Sequence, residues 1–377
     1  MLELTDEQQL LVSETRRIAE NEFAGNACQW DGEKPWPNLE TLSDRGLLGV
    51  SLPEEYGGGG MSEFEAILLE EVVGRVCPDT AYALPDMGAS RAIAMFGSEA
   101  AKEKYLPPVC NAENHVAIAI SEPEAGSDVT SMNTHIKEDG GELYLSGEKI
   151  WVSSVDEDGA AVVWAKFPDG LGTVIMDFDR AGVEIQENYT NMFGHEQTQF
   201  YMEDVHIPEE NVLTHGPEGF KQQLKSLNWE RLGNSTLCNA VALCAFDKAL
   251  EYSQDRVQFD QPIGEFQGIE WKLADMAKQI QVSRALTHQL AQSAHRRGES
   301  PGRMETSVAK LYSAEMLESV VSESLQIHGA NGYQQGHPLE YLYRYARGRR
   351  IAAGTDEIQK NTIAGALKEG GLPHIGE

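Results

Sequence analysis

The chain has 377 residues, enough for two or three packed regions, and 41% of them are hydrophobic, so composition gives no case for disorder. Sixty Asp and Glu against thirty Lys and Arg leave a net charge of −30, which argues against nucleic acid and anionic membranes as partners. No apolar run reaches the ~18 residues of a membrane span, the first twenty residues lack a secretory pattern, and five cysteines without a Cys-x-x-Cys pair speak against a disulfide framework or zinc site and for a reducing cytoplasm.

In chain order, residues 1–114 read as helical. Thr5 with Gln8 predicts a capping box ahead of Leu10, Leu11 and Ile18, and Ser62 with Glu65 predicts a second ahead of Ile67, Leu68 and Val72. Tyr56-Gly57-Gly58-Gly59-Gly60 between them must be a loop. Residues 115–215 carry short β-rich runs at 115–120, 143–145, 149–152, 161–165, 173–178 and 200–202, with Asp139-Gly140-Gly141 and Ser146-Gly147 as turn signals. Many short strands without long helices between them predict a sandwich or barrel. From 216 to 377 the helical period returns, with Leu243, Phe246, Leu250 and Val257 on one stripe and Val308, Leu311, Tyr312, Glu315, Met316 and Val320 on another. The expected class is α+β: an N-terminal helical domain (1–114), a middle β-sandwich or barrel domain (115–215) and a C-terminal four-helix-bundle-like domain (216–377). Neither a Gly-x-Gly-x-x-Gly fingerprint nor a Walker loop is present, so no Rossmann unit is expected.

The segment Ile118-Ala119-Ile120-Ser121-Glu122-Pro123-Glu124-Ala125-Gly126-Ser127-Asp128 is the most distinctive of the chain. Tyr56-Gly57-Gly58 precedes it and Gly147-Glu148-Lys149-Ile150-Trp151-Val152-Ser153 follows. Next come Arg256-Val257-Gln258-Phe259 with Gln261-Pro262-Ile263 and Phe266-Gln267, then Gln326-Ile327-His328-Gly329-Ala330-Asn331-Gly332-Tyr333, then Gly354-Thr355-Asp356-Glu357-Ile358. In this order, over nearly the whole chain, the six stretches resemble the acyl-CoA dehydrogenase family. The resemblance implies FAD as cofactor, an acyl-CoA substrate, an electron-transfer flavoprotein as acceptor and a homo-oligomer, expected to be a tetramer. It implies that Ile120, Ser121, Trp151 and Ser153 line the isoalloxazine and that Ser127 meets the CoA portion of the substrate. It also gives Arg256 to the pyrophosphate, Phe259, Gln267, Gln326 and Gly329 to the adenosine end, in part from a neighbouring subunit, and Thr355 and Glu357 to the FAD of their own subunit. By residue type alone, Trp151 is equally a core packing residue, Ser127 a turn former and Arg256 a surface ion-pair partner.

Oxidation at the α and β carbons needs a base for the α-proton and a hydride acceptor for the β-hydrogen, which in the family is flavin N5. Short- and medium-chain members carry the base just before Gly-Thr, and this chain has Ala353 there. Isovaleryl and long-chain members place it instead in a helical Glu-Arg-Leu motif, matched by Glu230-Arg231-Leu232. The resemblance therefore assigns the catalytic base to Glu230, whose pKa burial should raise. Arg231 is expected to contact the CoA or orient the site. The resemblance also implies that Ala353 and Gly354 line the thioester, whose oxygen would accept from the Ala353 N–H and from a ribityl hydroxyl of FAD. Asp356 and Asp128 are the other nearby carboxylates, both better explained by turns. Asp260, Ala330 and His195 depart from the family pattern, and no His/Cys/Asp cluster has metal-ligand spacing. Three alternatives remain at this level: an enoyl-CoA reductase of the crotonobetainyl-CoA type, a flavin oxidase or monooxygenase on the same scaffold, and a non-catalytic subunit.

Overall fold

The computed structural model describes residues 3–30 and 32–372. Among the described residues six α-helices come first: α1 (Asp6–Ile18), α2 (Trp36–Ser43), α3 (Glu63–Val76), α4 (Pro78–Tyr82), α5 (Ala89–Phe96) and α6 (Glu99–Cys110). Eight strands follow: β1 (Val116–Ala119), β2 (His135–Asp139), β3 (Glu142–Ser153), β4 (Ala160–Phe167), β5 (Gly170–Asp177), β6 (Val183–Thr190), β7 (Glu196–Ile207) and β8 (Val212–Thr214). The chain then runs through α7 (Gly219–Asp255), the small ribbon β9 (Val257–Gln258) and β10 (Gln261–Pro262), α8 (Gln267–Arg297), α9 (Arg303–His328), α10 (Pro338–Arg349) and α11 (Asp356–Gly370). No helix among the described residues is long and apolar enough to cross a membrane. The chain divides into two compact units that cut across the three zones: a helical unit (Met1–Lys34, Glu63–Ala83, Glu230–Glu377) and a mixed unit (Pro35–Ser62, Leu84–Trp229).

In the mixed unit the strands form two halves, β6-β7-β3-β2 and β1-β4-β5-β8, joined where His135 of β2 pairs with Lys166 of β4. Ile136, Leu145, Val152, Phe200 and Met202 from one half share a core with Ala117, Ala161, Val163, Val174 and Met176 from the other. The opposite side of β1, β4 and β5 is covered by α5 and α6 through Ile93, Leu106 and Val109. Asp139-Gly140-Gly141 turns as expected, with both glycines left-handed. Ser146-Gly147 does not. It lies inside β3, which is one strand and not two, and Gly147 (φ +148) makes a bulge against β7. A Cβ there would sit 2.6 Å from Thr134 Cα, so the glycine serves a close approach rather than a chain reversal. β2, β6 and β8 carried no readable signal. β6 is an edge strand with nearly every side chain exposed, and β8 has only three residues.

In the helical unit the Thr5 capping box is present, with Gln8 N donating to Thr5 Oγ1 (3.2 Å) and Thr5 N to Gln8 Oε1 (3.0 Å). Two stripes need correction. α7 stops at Asp255, so Val257 belongs to β9 and is exposed. On α9 Met316 and Val320 of the expected stripe are buried and Leu311 and Tyr312 partly so, but Val308 and Glu315 point outward, and the first half of the helix buries Thr306, Ser307, Ala309, Lys310, Ser313 and Ala314 instead. That first half carries small side chains and a lysine, which hydrophobic periodicity does not register, whereas the second half buries Met316, Leu317, Val320 and Val321.

Glu71 of α3 is buried against α8, where Arg284 Nη2 donates at 2.6 Å and His288 Nε2 lies at 3.0 Å. Burial alone would raise its carboxyl, but the histidine and arginine outweigh that and hold it near 2. The folded value lies below the ordinary 4.5. The stabilisation is therefore complete above that pH and is lost as pH falls towards 2, and the shift corresponds to roughly 3 kcal/mol. Glu71→Gln should flatten the acid limb of a denaturation series between these pH values; an unchanged limb would show that the cluster does not couple to folding.

Candidate active site

The expected base sits near the start of the α7 segment that belongs to the helical unit. Glu230 is partly buried, and among the described residues its carboxyl has no hydrogen bond or ion pair. Burial raises its pKa, against the opposing charges of Arg231 and Arg349. One turn along the same face, Asn234 Oδ1 is also buried without a partner. Arg231 is 7% exposed, and its Nε reaches Ala353 O at 3.3 Å. The helical motif and the Ala353-Gly354-Thr355 turn, more than a hundred positions apart in sequence, thus meet. Arg349 is buried over the rings of Tyr82 and Tyr345, with its guanidinium 5.1 and 4.8 Å from their centroids.

The turn itself is left-handed at Ala353 (φ +55) and Gly354 (φ +90). Lys310 Nζ donates to Gly354 O (2.8 Å), and Gln359 Nε2 donates to both Ala353 O (3.2 Å) and Gly354 O (2.9 Å). The Ala353 N–H has no acceptor among the described residues. Thr355 caps α11, its hydroxyl accepting from Ile358 N, and Glu357 is exposed with its carboxyl lowered by its own backbone N–H and by Thr355. Asp356 is occupied as a counter-ion of Arg350 (2.6 Å), and Asp128 accepts from Thr130 in an exposed turn.

In the mixed unit, Lys149 and Glu122 form an ion pair of 2.9 Å at 0% and 4% exposure. Lys149 also donates to Ile120 O (2.9 Å), and Glu122 accepts from the N–H groups of Asn133 (2.5 Å) and Thr134 (2.9 Å). Ile150 N donates to Ser121 O (3.0 Å), so Ile120 and Ser121 are stitched to β3. Just beyond, β3 bulges between Lys149 and Val152, and Trp151 adopts φ +61 with 51% of its surface exposed. The indole is therefore not core; it leans on Tyr189 with ring centroids 5.0 Å apart. Ser153 is partly buried and Ser127 exposed.

Arg256, Phe259, Gln267, Gln326 and Gly329 are all exposed on the helical unit. Phe259 is 90% exposed at φ +52, and Arg256 makes no ion pair among the described residues. On the helical unit a guanidinium without an ion pair, two exposed amides and an exposed aromatic ring are groups that suit the phosphates and adenosine of a dinucleotide, and on the mixed unit an exposed indole near serines suits a flavin ring. The residues present fit FAD.

Comparison with known proteins agrees along the whole chain. Three family models match: acyl-CoA dehydrogenase N-terminal domain over residues 5–113, middle domain over 117–205 and C-terminal domain over 217–368. The chain belongs to the acyl-CoA dehydrogenase family. It is an FAD-dependent oxidoreductase with the family's fold of N-terminal helices, middle sheet domain and C-terminal helices. It is 34% identical to the probable acyl-CoA dehydrogenase YngJ of Bacillus subtilis, over 97% of this chain and 99% of that protein. It is 35% identical to 3-sulfinopropanoyl-CoA desulfinase of Paraburkholderia xenovorans, over 97% of each. It is 33% identical to acryloyl-CoA reductase (NADH) of Anaerotignum propionicum, over 96% of this chain and 94% of that one. Its structure is similar to butyryl-CoA dehydrogenase of Megasphaera elsdenii, with TM-score 0.88, 28% identity and coverage of 98% and 100%.

Lys310, Gln359, Arg349 and the Lys149–Glu122 pair were not singled out from sequence. A lysine on a helix face otherwise made of Thr306, Ser307, Ser313 and Ala314 was the available signal for Lys310.

Proposed function

We propose that the chain oxidises an acyl-CoA to the trans-2-enoyl-CoA, with Glu230 removing the α-proton. The observation that carries this reading is a carboxyl without a protein partner, raised by burial, beside an arginine tied to the Ala353–Gly354 turn. A raised pKa makes the ionised carboxylate a stronger base. The Ala353 N–H, which has no acceptor among the described residues, would bind the thioester oxygen and stabilise the charge that develops on loss of the α-proton. Bound FAD would supply the hydride acceptor for the β-hydrogen. Ile120, Ser121, Trp151, Ser153, Thr355 and Glu357 would hold the cofactor's flavin side, and Ser127, Arg231 and Gly354 would serve the substrate.

Exposure of Arg256, Phe259, Gln267, Gln326 and Gly329 supports their use by a second copy of the chain, hence a homo-oligomer, which we take to be a tetramer. An electron-transfer flavoprotein as acceptor, a cytoplasmic location for a chain of five free thiols, and domains at 1–114, 115–215 and 216–377 complete the proposal. The domain borders lie close to those of the three matching models.

Anaerobic titration of the FAD-loaded protein with a panel of saturated acyl-CoAs tests it. At least one should bleach the flavin and yield its enoyl-CoA. A panel without bleaching, combined with rapid oxygen use on a non-thioester, would overturn the reading in favour of an oxidase.

A further inference from the structure

The turn at 353–354 is held by more than the α7 motif. Lys310, in the middle of α9, is 1% exposed, and its ammonium meets Gly354 O at 2.8 Å with Asp356 Oδ1 3.9 Å away. Gln359 is fully buried in α11 and bridges both carbonyls. With Arg231, four donor contacts pin two successive backbone oxygens. Burial lowers the Lys310 pKa, and Arg349 and Arg231 oppose its charge further while Asp356 offsets them. Desolvating a cation for one carbonyl and a carboxylate 3.9 Å away is a poor way to stabilise a helix face, and leucine or methionine would fill that space more cheaply. The arrangement calls for a purpose other than stability.

We infer that Lys310 and Gln359 are positioning residues that hold the backbone N–H of Ala353 in the orientation that receives the substrate's thioester oxygen. This rests on the proposed reading of the turn. In a trans peptide the N–H runs antiparallel to its carbonyl. The gripped carbonyls of 353 and 354 fix the planes of the two peptide units that follow the Ala353 Cα, and the left-handed φ of +55° at Ala353 then sets how its own N–H, in the preceding unit, stands to those planes. The left-handed backbone at Ala353 is disfavoured for a residue with a Cβ and needs outside support to persist. Lys310 and Gln359 give that support. The buried ammonium also adds positive potential close to where negative charge develops on the thioester oxygen.

The test uses the FAD-loaded protein and a chromophoric aryl-enoyl-CoA, whose absorption moves to the red when its carbonyl is polarised. Lys310→Met should retain FAD and bind the thioester within about 3-fold of wild type. It should lose most of the red shift and lower kcat by about 10- to 100-fold, the scale of a misplaced catalytic contact. Lys310→Arg, which keeps charge and donors on a longer arm, should recover part of both. Gln359→Met should show the same loss of red shift without removing a charge, and it decides the matter if Lys310→Met does not fold. A folded Lys310→Met or Gln359→Met with the full red shift and wild-type kcat would overturn the inference, whatever its melting temperature. Glu230→Gln separates the two readings. It should keep the red shift and lose turnover, so a failure of the base assignment leaves the spectral test of the turn intact.

Discussion

Replacing Glu230 by glutamine should leave FAD bound and slow acyl-CoA-dependent flavin bleaching by about 10²- to 10⁴-fold, the range a positioned general base contributes. Glutamine matches the carboxylate in shape but cannot accept the α-proton. Because Glu230 has no hydrogen bond or ion pair among the described residues, the change should break no structural contact, and melting temperature should move little. The pH profile adds a second check. Burial raises the pKa of Glu230, and the base acts only when ionised. The bleaching rate should therefore climb as pH rises through a midpoint above the ordinary carboxylate range and then level off. A Glu230→Gln protein that bleaches normally, or a wild-type profile flat across the acidic range, would remove Glu230 from the proton transfer.

Loss of the Lys149–Glu122 pair should have the largest effect on stability. Both groups are shut off from solvent, so removing one leaves a bare charge in a low-dielectric interior, at a cost of about 3–5 kcal/mol. Lys149→Met also frees Ile120 O, at the segment expected to face the flavin. Urea denaturation should show a lower midpoint with an unchanged slope, accompanied by weaker FAD retention. The Lys149→Met/Glu122→Gln double variant should recover part of the loss, since the stranded carboxylate is gone, although the glutamine's single oxygen can accept from only one of Asn133 and Thr134, which the carboxylate served with separate oxygens. A single-variant loss below about 1 kcal/mol would mean that water reaches the pair.

The order of helices, strands and helices was legible from the alternation of hydrophobic periods, and the Thr5 capping box from four residues. The misreadings have physical causes. Gly147 sits in a bulge whose glycine looks like a turn until Thr134 is seen against it. β6 lies at an edge and is largely exposed, so Val183, Ile185 and Tyr189 alternate with polar residues but make only a short and interrupted apolar pattern. The first half of α9 buries small residues and a lysine, which hydrophobicity cannot see, while Met316 and Val320 farther along were legible. At the site, the motif positions could be named because they form short runs. The clamp on the turn could not, because Lys310, Gln359 and Arg231 come from three helices and act on backbone atoms. Pattern identifies side chains that face a ligand more readily than those that hold a peptide still.

Because the clamp grips carbonyl oxygens only, the side chain at 353 is free to vary without loosening the turn. The family resemblance puts a glutamate at that place in some members and on the helix matching α7 in others. A lineage carrying this clamp would need only two side-chain exchanges to relocate its proton acceptor, while the amide proposed to bind the thioester oxygen is inherited intact. The geometry of charge stabilisation then evolves separately from the identity of the base.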